Sequence, residues 1–108
     1  MNDTFLVSVQ HLDGAGARIM CVGELDVATT DSLGRAIEQA IATAPAFLMI
    51  DCTGLTFISI DGLRLLLDTA ERCQAAGMAI TVDLDSNGRR LLEALEYPQT
   101  LVSAGFQS

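Results

Sequence analysis

The sequence predicts a single α/β domain: a mixed β-sheet with helices packed against it, in the order β-β-α-β-α-β-α with a short last strand. Three observations predict it. The chain has 108 residues, enough to close one hydrophobic core and too few for two. Half of its residues are hydrophobic, which excludes a disordered chain. Short apolar runs of β character alternate with segments of helical period, as expected of strands joined by crossover helices.

The elements follow in order. "TFLVSV" and "ARIMCV" are β-like runs joined by the glycine-rich "QHLDGAG", which predicts an antiparallel hairpin. In "TTDSLGRAIEQAIATA", Leu33, Ala36, Ile37, Ala40 and Ile41 recur at helical spacing. A helix is expected over 29–43, with Thr29 or Thr30 as N-cap and Pro45 just past its end. "AFLMI" is a continuous apolar run, as expected of a strand covered on both faces. "DGLRLLLDTAERCQAA" aligns Leu63, Leu66, Leu67, Ala70 and Cys73 on one face of a helix over 61–76, and Gly77 suits its end. "MAITV" is the next strand. "SNGRRLLEALE" is a helix over 86–96, capped by Asp85 or Ser86 and stopped before Pro98, and "TLVSAGF" adds an edge strand. Leu33, Ile37, Phe47, Met49, Leu63, Leu66, Leu67, Ile80 and Leu92 are expected to be mostly buried, in one domain spanning 4–106.

Charge narrows the partners. A net charge of −8 repels nucleic acid and anionic membranes, so a partly basic protein surface is the better match. No apolar run approaches the roughly 20 residues that span a bilayer. The start "MNDTFLVSVQ" lacks a basic segment followed by an apolar one, so a cytoplasmic protein is expected. All six basic residues are arginine, a bias that fits a GC-rich bacterial genome. Cys21, Cys52 and Cys73 form no CxxC pair and lie in or beside apolar segments. They are expected to be small buried hydrophobes, with a redox switch as the alternative.

The strand order sends "CVGELD" and "MIDCTG" off the carboxyl ends of neighbouring parallel strands. Glu24, Asp26, Asp51 and Asp61 are therefore expected at one sheet edge, beside the start of the helix near Asp61. One role for Asp61 is electrostatic, since an acid in a first helical turn faces free N–H groups and the positive dipole end; Ser59 is the better N-cap. A phosphoacceptor aspartate of the response-regulator kind needs a lysine at that edge, and the chain has none. The carboxylates lack a metal-ligand spacing. The single histidine, His11, falls in the hairpin loop, and no nucleophile elbow or phosphate-cradling glycine loop is present. No catalytic residue, cofactor or metal is expected, and the chain is read as a non-enzyme.

Three segments carry a resemblance: "GELDVATTDSL", "AFLMIDCTGLTFISIDGLRLLLDTAERCQAAG" and "GRRLLEALEYPQTL". In order and spacing they resemble the STAS domain family of bacterial anti-sigma factor antagonists, over roughly residues 4–106. The resemblance implies a cytoplasmic regulator of transcription that binds an anti-sigma factor of kinase fold, as a monomer or weak dimer. In such proteins a serine or threonine before the Gly-Leu pair is phosphorylated by that partner, which breaks the complex. Aligning Phe57 and Gly62-Leu63 puts Asp61 at the phosphoacceptor position, a side chain that cannot form the phosphate ester. It brings about one negative charge, against roughly 1.5 to 2 for a phosphoserine. The expected partner surface comprises Glu24, Asp26, Ser59, Ile60, Asp61, Gly62 and Leu63. The alternative function is a STAS module of a transporter or lipid-export assembly, or a domain that senses a small molecule or nucleotide.

Overall fold

Residues 5–94 and 106–107 are described by a computed structural model of the chain. β1 (Phe5–Leu12) and β2 (Gly16–Leu25) form the expected antiparallel hairpin, paired without a slip from Phe5 opposite Gly23 to Leu12 opposite Gly16. The tight turn between them places Gly14 and Ala15 at φ of 81° and 66°, a region that glycine enters freely and alanine does not. Helix α1 (Val27–Ala42) then leads to β3 (Phe47–Ile58), which runs parallel to β2. Helix α2 (Ile60–Ala75) leads to β4 (Ala79–Asp83), parallel to β3, and α3 (Ser86–Ala94) follows. β5 (Phe106–Gln107) pairs with Val82 and Asp83, so the sheet order is β1-β2-β3-β4-β5. The last strand expected from "TLVSAGF" is thus present at its end, while 100–105 lie outside the described residues.

Strand burial alternates, with period two. Ala17, Ile19 and Cys21 of β2, Leu48, Ile50 and Cys52 of β3, and Ile80 and Val82 of β4 are buried together with Leu33, Ile37, Leu63, Leu66, Leu67 and Ala70 of the helices. α1 packs on β1 and β2, α2 packs on β4, and the two helices touch each other, so they form one layer. The thinnest dimension is 19 Å, room for one sheet and one layer of helices about 10–12 Å across.

One consequence corrects the expectation for β3. It is covered on one face, and Phe47 and Met49 are half-buried instead of belonging to the core. An apolar run announces burial without saying how many layers supply it. Phe47 gains partial cover from the strand beside it: its ring lies where a Cβ on Gly16 would stand. The other expected core residues inside the helices and β4 are buried as anticipated; the Leu92 side chain lies outside the described residues.

Helix ends follow capping chemistry. Gly77, at φ 77°, follows the C-cap Ala76 of α2 as its residue type suggested. At α1 the cap is Asp26, not Thr29 or Thr30. The Asp26 carboxylate accepts the Thr29 N–H at 2.9 Å, and the Thr29 hydroxyl accepts the Asp26 N–H at 2.9 Å. This reciprocal box starts the helix at Val27, two residues before the expected start at 29. At α3, Asp85 accepts the Gly88 N–H at 2.9 Å.

Candidate functional site

β2 and β3 end side by side, Leu25 opposite Ile58, and each chain turns at once into a helix. The Ser59 N–H donates to the Leu25 carbonyl at 2.8 Å, tying the two strand ends together. Ser59 is extended, at φ −81° and ψ 166°, and its hydroxyl accepts the Gly62 N–H at 3.0 Å. Its carbonyl accepts the Leu63 N–H at 2.9 Å, the first helical bond of α2. Ser59 is therefore the N-cap, and Asp61 sits exposed in the first turn, where the helix dipole favours its charge. The N-termini of α1 and α2 open at the same edge of the sheet.

Most of the expected site residues meet there. Glu24 is exposed at the end of β2 opposite Phe57; Asp26 caps α1; Ser59, Ile60 and Asp61 start α2. Gly62 and Leu63 do not reach the surface. Leu63 is fully buried, and Gly62 packs onto Leu25 so closely that a Cβ would stand 2.7 Å from Leu25 Cγ. The pair forms the floor of the site, because an N-terminal turn that begins at the sheet edge must direct one side of itself into the core.

Asp51 is not at this edge. β3 continues to Ile58, past the point where the apolar run stops, with register irregularities opposite Met20–Val22 and Gly23–Glu24 that keep it paired. Asp51 consequently lies mid-strand on the helix-free face. There Arg18 Nη2 donates to it at 3.1 Å, and the Thr53 hydroxyl and N–H donate at 2.6 and 3.0 Å. The Thr53 hydroxyl, then the Thr53 N–H, and after them Arg18 hold its carboxyl below the ordinary 3.8, with burial opposing.

Two residues of this edge were not singled out from sequence. Val27 is 67% exposed at the first position of α1, and Phe57 is 52% exposed near the end of β3. With Ile60, 46% exposed, they make three uncovered apolar side chains at this end of the sheet. The available signal was position: an apolar residue at the first turn or last pair of an element, outside the periodic face that packs, has nothing to cover it.

The three thiols are all buried, and Cys52 lines a small cavity with Phe57 and Ile58. The adjoining Cys21 thiol, and then burial, push the Cys52 thiol far up, and burial raises Cys73. Low-pKa, accessible thiols are the reactive ones, so these are placed as small hydrophobes. Among the described residues no three His, Cys, Asp or Glu side chains converge as a metal site, and no helix is long and apolar enough to cross a membrane.

Known proteins share the fold and part of the sequence. The anti-sigma-F factor antagonist RsfB of Mycobacterium tuberculosis is 31% identical over 67 residues, which are 61% of this chain and 55% of that protein; the match spans about half of that relative. The anti-sigma-F factor antagonist RsfA of the same organism is 29% identical over 104 residues, 94% of this chain and 80% of that protein. A crystal structure of an anti-sigma factor antagonist from Mycobacterium paratuberculosis has a TM-score of 0.75 at 24% identity, covering 97% of this chain and 86% of that one. The phosphorylated form of the Bacillus cell fate determinant SpoIIAA has a TM-score of 0.71 at 16% identity, covering 95% and 92%. At those identities the two structures establish the fold. The family model for the STAS domain matches residues 6–100, from the first hairpin through the third helix. With the fold and the sequence in agreement over that length, the chain belongs to the STAS domain family.

Proposed function

We propose that this chain is an anti-sigma factor antagonist that works by binding, without catalysis, and that its partner is an anti-sigma factor of kinase fold. The observation that carries the reading is the exposure of Val27, Phe57 and Ile60 at the turns where β2 and β3 hand over to α1 and α2. Uncovered apolar side chains rimmed by charge favour a protein surface with an apolar centre. Glu24 and Asp61 supply the rim, and both are acidic, which selects a partner bearing Arg or Lys around that centre.

Asp61 gives this antagonist its particular character. By the family resemblance it takes the place of the phosphorylated hydroxyl, so on this reading the wild-type chain is not switched by a kinase at that position. The Ser59 hydroxyl, two residues away, is engaged as the α2 cap. The partial phosphate-like charge of Asp61 weakens the complex that a serine would make.

Titration calorimetry of the chain against kinase-fold anti-sigma factors from its own genome tests the reading. Wild type should bind, Phe57→Ala should weaken binding at least about tenfold, and Ile60→Glu should abolish it, in keeping with the energetic weight of central apolar contacts. Association should slow as salt rises. Undiminished binding by both variants would place the interface elsewhere.

A further inference from the structure

The strand order leaves β1 at an edge of the sheet, and among the described residues nothing pairs with its outer side. Edge strands are ordinarily protected by charge, proline, a bulge or shortness, because their free N–H and C=O groups accept any other strand. β1 has none of these protections. It runs unbroken from Phe5 to Leu12 as "FLVSVQHL", without a bulge, a proline, an acid, a lysine or an arginine. Beside it Leu6, 65% exposed, pairs across the ladder with Val22, 46% exposed, on the helix-free face. Together with Met20 and Ser8 they line a shallow apolar groove along that margin.

We propose that β1 is the surface through which two copies of this chain associate, edge to edge and antiparallel, extending one sheet across a two-fold axis. The strand's complementarity to itself selects a second copy, and its lack of acids permits one. The chain carries a net charge of −8, so most of its surface repels another copy, whereas β1 offers a strand free of acidic residues. A two-fold axis through Ser8 places Val7 beside Val9 of the partner subunit on the helix side. On the open side it places Leu6 beside Gln10 of the partner subunit. The same axis brings Ser8 opposite Ser8 of the partner subunit and sets no charge against a like charge within the paired strands. Being perpendicular to the sheet, it keeps both helix layers on one side and makes the open faces continuous. Val27, Phe57 and Ile60 lie at the strand ends, not along β1, so each copy keeps its proposed anti-sigma surface exposed. The association is independent of the function proposed above.

Sedimentation equilibrium on the full chain, over roughly 5–500 µM, tests this with charge variants at the axis. Ser8 is exposed, so Ser8→Glu and Ser8→Lys should both fold, and circular dichroism melts check that they do. Wild type should dimerise, and more tightly as salt screens the acidic bodies and the turn residue Asp13. Each variant alone places like charges directly opposite and should weaken the dimer at least about tenfold. An equal mixture of the two should restore it, as a heterodimer visible by native mass spectrometry. A wild type that stays monomeric throughout, folded variants that each dimerise like wild type, or a mixture that stays monomeric would overturn the proposal.

Discussion

Gly62 stands so close to Leu25 that a Cβ on it would lie 2.7 Å from Leu25 Cγ and 3.3 Å from the Leu25 carbonyl oxygen. The contact joins the end of β2 to the first turn of α2, and it sets how deeply that turn sits against the sheet. The exposure of Ile60 and Asp61 therefore depends on a glycine that never reaches the surface.

Gly62→Ala should destabilise the fold by about 1–3 kcal/mol, because overpacking against a fully buried leucine outweighs alanine's better helix propensity of roughly 1 kcal/mol. Shortening the obstacle with Leu25→Val in the same chain should recover part of the loss, a coupling expected of residues in contact. Urea titration of the single and double variants measures it. Additive losses would show that the two do not constrain each other.

Restoring the hydroxyl with Asp61→Ser should change folding stability by no more than about 1 kcal/mol, since Ser59 remains as cap and only a dipole-favoured charge is lost. Its effect belongs on binding. The variant should bind a kinase-fold anti-sigma factor more tightly than wild type, and ATP should reverse the gain as the introduced hydroxyl is phosphorylated. Intact-mass spectrometry with calorimetry reads both; equal affinities, or phosphate on wild-type Ser59, would reduce Asp61 to a favourable helix charge.

Asp51 contributes a pH dependence of definite sign. Its folded carboxyl is held below 3.8 by Thr53 and Arg18, so the ionised form is stabilised by folding. That contribution is present above the unfolded value and is lost as pH falls through the depressed folded one. Asp51→Asn should therefore be less stable than wild type at pH 7. The gap should narrow as pH drops below about 3.8, in thermal melts followed by circular dichroism. A gap unchanged by acid would assign the loss to hydrogen-bond geometry instead of charge.

The cysteines should be silent until the chain unfolds. With all three buried, and Cys52 and Cys73 raised by their surroundings, Ellman's reagent should react slowly with native protein and completely in guanidinium. Prompt reaction of a native thiol at pH 7 would revive the redox alternative.

The sequence by itself determined the element order, the antiparallel hairpin, the packed faces of α1 and α2, and the Ser59 cap. Each of these rests on local chemistry: a period of 2 or 3.6, a glycine that accepts positive φ, a hydroxyl that accepts an N–H. The meeting of Glu24, Asp26 and Asp61 at one sheet edge was legible for a related reason, since parallel strands deliver their carboxyl ends to one edge. What only the tertiary structure decided is which surfaces find a cover. Phe47 and Met49 lie in an apolar run, yet among the described residues no helix covers their face of the sheet, whereas Gly62 and Leu63 adjoin the exposed Asp61 and are claimed by the core. Asp51 left the edge because β3 outlasts its apolar run, held by pairing to β2 that no single strand can reveal. Val27 and Phe57 are exposed for the same reason: burial depends on which other element arrives, and arrival is a long-range event.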